Sequence, residues 1–268
     1  MSTTRPTTSK TQRRKAQRAV ATARGTRRNR VSLVIGIVVV VVLAVAVIGG
    51  VLYQKQRNAE AARQIIPAVH TGITVPATFD RTNATVLVGR PSAKVTIDAY
   101  EDFLCPICGQ FEQANFPALE KQLTAGAVKV RYHLLNLLDD RSNPPGYSTD
   151  AANTALAVAT VAPEQFLDFH YSLYQKQPTE NGPGWTQDQL TSLANRLGVS
   201  GGDFDKLIGD RTYARQIQQN LTTAENDKNL WQPTAQGGSG FGTPTIAVNG
   251  RTVAWSQPGW LDKLVAGT

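Results

Sequence analysis

EDFLCPICGQFE, residues 101–112, holds the only two cysteines of the 268-residue chain, Cys105 and Cys108, three positions apart. Before it, AKVTIDAY (93–100) clusters β-branched residues as strands do. After it, Phe111, Phe116, Leu119 and Leu123 recur at spacings near 3.6 until Gly126 ends the run, so a helix is expected. The cysteine pair therefore lies at a strand-to-helix junction.

Its chemistry depends on the compartment it faces. Net charge is +8, but the first thirty residues hold ten of the 28 Lys and Arg and none of the 20 acids, which leaves the remainder at 18 against 20. The high pI belongs to a tail, not to the body. Residues 1–30, rich in Arg, Thr, Ser and Gln, hold too little apolar material to offset their ordering entropy and are expected to be a disordered cytoplasmic tail. No nucleic-acid partner is called for. Val31 to Tyr53 follows as an uncharged run of 23 residues; as a helix it spans roughly 34 Å, against about 30 Å for a bilayer core. A cleaved signal peptide is the rival, but its apolar region is about 7 to 15 residues, and VLYQKQ is a poor cleavage site. The basic excess before the span, against Lys55, Arg57 and Arg63 after it, places the N-terminus in the cytoplasm and the cysteines outside the cell membrane, where disulfides persist.

Residues 54–75 are polar and Ala-rich and read as a stalk or linker that could reach roughly 70 Å if extended. Residues 76–268 fit one α/β domain. ATVLVG and AKVTIDAY are two strands about the turn GRPSA, and VKVRYHLLNLL (128–138) is a strong third, giving a β-α-β order with a parallel return. A helical insertion is expected at about 147–230. It comprises an Ala-rich helix at Ala151 to Ala159, one opening at Pro163, one with a capping box at Thr186 and Gln189 that stops at Gly198, and a shorter and a longer one up to Asn229. GTPTIAVNGRTVAW returns to β as a hairpin turning at Asn249 and Gly250, and QPGWLDKLVAG closes the chain as a helix.

At the helix N-terminus the sulfur of Cys105 meets free N–H groups and the positive end of the dipole, which favours the thiolate. Cys105 is thus expected to be the exposed nucleophile, and Cys108, one turn in and facing the core, the resolving thiol. Pro106 suits the first helical turn, where its missing N–H is not needed. Other readings of the pair stand beside this one. A structural disulfide closing so short a loop contributes only roughly 2 kcal/mol on the chain-entropy formula. Structural zinc needs four ligands, and His70, His133 and His170 form no motif, which leaves a soft-metal site shared between two chains. Glu101 and Asp102 read as a solvated loop edge, with a proton relay or repulsion of acidic clients as the alternatives, Phe166, Phe169, Tyr171 and Tyr174 as the core of the insertion rather than a substrate groove, and His170 as an edge residue rather than a catalyst.

YEDFLCPICGQF, followed some 130 residues later by GTPTIAVNG, resembles the DsbA-like branch of the thioredoxin superfamily over roughly Pro76 to Thr268. The resemblance implies a thioredoxin-like fold with a helical insertion. It implies a cis bond between Thr243 and Pro244 facing the cysteines, with the Thr243 backbone pairing with an extended substrate segment. Ile107 stands where strongly oxidising relatives often have His, so Pro106 and Ile107 are the positions that tune the pair. One position departs from the pattern: many relatives carry a buried acid six residues before the first cysteine, and here that residue is Ala99. A proton shuttle has no residue there. The expectation is a membrane-tethered thiol:disulfide oxidoreductase, in the oxidising direction, needing no cofactor or metal. Its clients would be reduced or misoxidised exported proteins, and a membrane redox partner would reoxidise it. A reductase or isomerase, and a non-catalytic binding or scaffold module, are the alternatives.

Overall fold

Strand β3 (Val95–Glu101) ends against the cysteine loop, helix α2 (Pro106–Ala125) follows, and strand β4 (Val128–Leu134) returns parallel to β3, with Val95 opposite Val128 and Glu101 opposite Leu134. This is a computed structural model, and it describes residues 35, 37–56, 60, 64–233 and 237–267. The basic tail (1–30) and the start of the apolar run lie outside the described residues. Two units are formed, Met1–Ala59 and Glu60–Thr268. In the first, helix α1 (Ile37–Gln56) is long and apolar enough, by length and composition, to cross a membrane.

The second unit is built on a six-stranded sheet in the order β1-β2-β4-β3-β7-β8. Strands β1 (Ala77–Asp80) and β2 (Thr85–Val88) pair antiparallel beyond β4. Strand β7 (Thr245–Val248) pairs antiparallel with the other edge of β3, and β8 (Arg251–Thr252) returns beside it. The turn between them uses positive φ at both Asn249 (51°) and Gly250 (72°), the conformation for which Asn-Gly is favoured. Strands β5 (Gln232–Pro233) and β6 (Ser239–Gly240) form a separate short ladder.

Between β4 and β7 the insertion supplies α3 (Tyr147–Val161), α4 (Phe166–Gln175), α5 (Gln187–Arg196), α6 (Gly202–Gly209) and α7 (Ala214–Asn226). Helix α3 is buried along nearly all its length, because its many Ala, Ser and Thr side chains let α4, α5, α6 and α7 approach it. The capping box forms at Thr186 and Gln189, α5 stops before Gly198 at φ 84°, and Pro163 opens a single 3-10 turn ahead of α4. Phe166, Phe169 and Tyr174 are buried in the core, and Tyr171 stacks on Phe116 at 3.8 Å between ring centroids. The last helix, α8 (Trp260–Ala266), is tied to α2 by Trp260 Nε1 donating to Asn115 Oδ1 (2.7 Å) and Gln122 Nε2 donating to Asp262 Oδ1 (3.0 Å).

Two expectations are corrected and one strand is added. Strand β4 stops at Leu134, not Leu138: β3 ends at Glu101, whose carbonyl takes the Leu135 N–H (2.8 Å), and beyond it the Asn136 side chain bonds Thr149 and Gln218 instead of a strand. Strand β1 was not expected. From Gln64 on, the expected stalk is docked on the insertion: Ile66 is buried, its carbonyl accepts from Arg196, Val69 N donates to Ser172 Oγ, and Thr71 donates twice to Asp168.

Candidate active site

Cys105 is the N-cap of α2, with extended backbone (φ −69°, ψ 117°), and Pro106 occupies the first turn, where no acidic residue opposes a negative charge. Both sulfurs are free thiols. Cys105 is 5% exposed, so the expected exposed nucleophile is almost covered. Its cover includes the segment before β7: Cys105 Sγ donates to the Thr243 carbonyl at 3.2 Å, next to a Thr243–Pro244 bond that is cis. Beside it Pro106 and Ile107 are exposed, Ile107 by 44%. Cys108 is fully buried.

The two thiols differ accordingly. A hydrogen bond from the Cys108 thiol, with further help from the nearby Thr243 side chain and the N–H groups of Cys108 and Ile107, brings Cys105 down to about 7 against the cost of burial. The Thr243 hydroxyl is buried without a hydrogen-bond partner among the described residues. Burial, the Cys105 thiol and the charges of Cys105 and Glu101 push Cys108 well up.

Beneath the pair the structure overturns the reading of Glu101, Asp102 and His170. All three are completely buried. Glu101 is the last inward-facing residue of β3, in register with Val95, Ile97 and Ala99. His170, from α4, donates to or accepts from its Oε2 at 2.9 Å, and the rings of Tyr132, Tyr174, Phe103 and Phe166 surround the imidazole with centroids 4.5 to 5.5 Å away. Glu112, one helical turn past Cys108 on α2, completes the cluster. Burial raises Glu101 to about 8 and Glu112 well above the carboxylate range, and lowers His170 to about 4. The group is therefore neutral between about pH 4 and pH 8, with both carboxyls protonated and the imidazole uncharged. One ligand atom from each residue lies within 4.8 Å of the others, as a metal would need. With both carboxyls protonated the cluster carries no charge to bury, although Glu101 Oε1 and both Glu112 oxygens have no hydrogen-bond partner among the described residues.

Asp102 organises the loop. Its Oδ1 accepts from Leu104 N (2.8 Å) and Ser148 Oγ (2.6 Å), and its Oδ2 from Leu138 N (2.8 Å), while burial pushes its carboxyl up to about 6. The signals for these acids were present. Alternation along β3 turns Glu101 inward, and an i, i+4 step from Cys108 places Glu112 on the same helix face. The other histidines stand apart from the thiols, His70 against Asp168 and His133 against Asp98.

Residues 81–261 match the thioredoxin family model. Among curated proteins, the chain is 30% identical over 189 residues to the serine/threonine-protein kinase PknE of Mycobacterium tuberculosis, a match covering 68% of this chain and only 32% of the kinase. It is 27% identical over 169 residues to disulfide bond formation protein D of Bacillus subtilis, covering 62% of this chain and 68% of that one. Among solved structures, reduced DsbA from M. tuberculosis superimposes with a TM-score of 0.56 at 30% identity, covering 72% of this chain and 91% of that one. With a family match spanning five of the six strands of the main sheet, the insertion and both cysteines, the chain belongs to the thioredoxin family, on its DsbA-like side.

Proposed function

We propose that the chain is a membrane-tethered thiol:disulfide oxidoreductase of the DsbA type that oxidises exported proteins through Cys105 and Cys108. The observation that carries the reading is the asymmetry of the two thiols: one at the helix terminus brought down to about 7, its partner fully buried and pushed up. At pH 7 a thiol of pKa about 7 is about half thiolate, against about 3% for a free one. Whatever stabilises that thiolate stabilises the reduced form and makes the disulfide the stronger oxidant.

In the oxidised chain a client thiolate attacks Cys105 Sγ. The Cys105–Cys108 bond breaks, Cys108 leaves with the electron pair, and the proton it then takes comes from Glu101, which is protonated below about pH 8 and close enough for its charge to bear on Cys108. The mixed disulfide on Cys105 is attacked by the client's second thiolate, which forms the client disulfide and expels the Cys105 thiolate. Two client thiols are oxidised and the pair is reduced, so a membrane redox partner must take the two electrons. The Thr243 backbone, beside Cys105 Sγ, is the edge on which an extended client segment would pair. Helix α1, with the basic residues before it, would hold this unit outside the membrane.

Cys108→Ser tests the division of labour. The variant should accumulate mixed disulfides with exported proteins on Cys105, because the thiol that resolves them is gone. Trapping that survives loss of Cys105 and requires Cys108 would reverse the assignment.

A further inference from the structure

Gln177 lies two residues beyond α4, ahead of Pro178, which disfavours helix at the residue before it. Its side chain points back into the cysteine loop, where Nε2 donates to the carbonyls of Phe103 and Cys105, each at 3.0 Å. The amide occupies space left by a glycine. A Cβ on Gly109, the residue after Cys108, would overlap Gln177 Oε1 and come within 2.8 Å of its Cδ. The segment that presents Gln177 is itself fixed: Gln113 Nε2 from α2 donates to the Tyr174 carbonyl (2.9 Å), and Trp185 Nε1 to the Lys176 carbonyl (3.0 Å).

We propose that Gln177 is a positioning residue for the thiol chemistry: seated in the gap at Gly109, its amide clamps the Phe103 and Cys105 carbonyls and sets the redox poise of the pair. The first bond of α2, Gly109 N to the Cys105 carbonyl, is long at 3.3 Å, so that carbonyl relies on the Gln177 donor. The N–H groups that meet the Cys105 sulfur, those of Ile107 and Cys108, belong to this same first turn. Releasing the clamp loosens the turn and leaves two carbonyl dipoles uncompensated beside a thiolate. The reduced form then loses stability and the disulfide becomes a weaker oxidant. The clamp also makes the insertion part of the thiol site, since Gln177 reaches it from the end of α4.

The inference rests on Cys105 and Cys108 being the redox pair. Two variants of the full-length, detergent-solubilised protein test it from opposite sides. Gln177→Met keeps the bulk and removes the donor. Gly109→Ala leaves Gln177 in place chemically but evicts its amide, while favouring the helix itself, since Ala is the better helix former. Equilibration with glutathione buffers should show the thiol–disulfide equilibrium shifted toward the disulfide about fivefold in each, the worth of one ordinary hydrogen bond, or about 20 mV more reducing. The alkylation rate against pH should show a raised Cys105 pKa in both. The double variant should move no further than either single one. Unchanged potentials in the two variants, opposite shifts, or additive shifts in the double variant would overturn the clamp. A wild-type protein with no measurable potential would instead overturn the redox pair on which it rests.

Discussion

Replacing Glu101 with Gln keeps the shape of a buried side chain whose charge bears on Cys108 and removes its acidic proton. Cys108 must lose a proton whenever it attacks a mixed disulfide on Cys105, and its own ionisation at pH 7 falls well below the roughly 3% of a free thiol, because burial pushes it up. Glu101, raised to about 8, is ionised at roughly 9% at pH 7 and half at pH 8. With Glu101 carboxylate as the base, the resolving step should quicken about fivefold across that unit of pH and then level off. The assay is the reaction of reduced protein with one equivalent of an aromatic disulfide reagent. The first chromophore leaves as Cys105 is capped, and the second as Cys108 displaces the cap. In Glu101→Gln the second phase should slow and lose its inflection near pH 8, following hydroxide instead. The step in the oxidising direction should show the reverse dependence, falling as pH rises through about 8, since there Glu101 must supply a proton. Stability gives an independent sign. A carboxyl whose pKa rises from 4.5 to about 8 on folding contributes fully below about pH 4.5, and that contribution is lost as pH rises through about 8. Glu101→Gln should flatten this decline. A second phase with unchanged rate and unchanged inflection in Glu101→Gln would refute the assignment of the proton to this residue.

Ile107→His places an imidazole beside the Cys105 sulfur at a position 44% exposed, and should lower the Cys105 pKa below about 7 and raise the reduction potential by up to about 30 mV, read in glutathione buffers. The wild-type potential should fall between about −270 and −120 mV. Asp102→Ala strands the buried N–H of Leu104 and the half-buried N–H of Leu138, and should cost about 3 kcal/mol in urea unfolding, with little change in the Cys105 pKa. A membrane-impermeant thiol reagent should label Cys105 in intact cells expressing the reduced protein; labelling only after lysis would place the domain on the other side.

The frame of this domain is local chemistry and could be read from the chain. The Asn249–Gly250 turn, the capping box at Thr186 and Gln189 and the stop at Gly126 each depend on residues within a few positions, and each forms where the residues put it. The strand-to-helix junction at Cys105 is local in the same sense. What escaped depends on partners far apart in sequence. His170 and Glu101 are 69 residues apart, and only the packing of α4 under the sheet brings them together. Reading Glu101 and Asp102 as solvated followed the rule that acids are seldom buried alone. They are not alone: Asp102 gathers two N–H groups and a hydroxyl, and Glu101 faces an imidazole and a second carboxyl. The buried acid missing at Ala99 has its counterpart one inward step further along β3. Gln177 gave no sequence signal, because a glutamine before a proline reads as an ordinary loop and its role depends on the glycine it fills.

The redox state of the Cys105–Cys108 pair in living cells bears most directly on the account. Cells are quenched in acid, free thiols are alkylated with a reagent that adds mass, and the chain is resolved by gel mobility. An oxidase kept charged by a membrane partner should be found with both cysteines protected as the disulfide. A pair found reduced at steady state, with both cysteines alkylated, would contradict the oxidising direction and make the chain a donor of electrons to its clients.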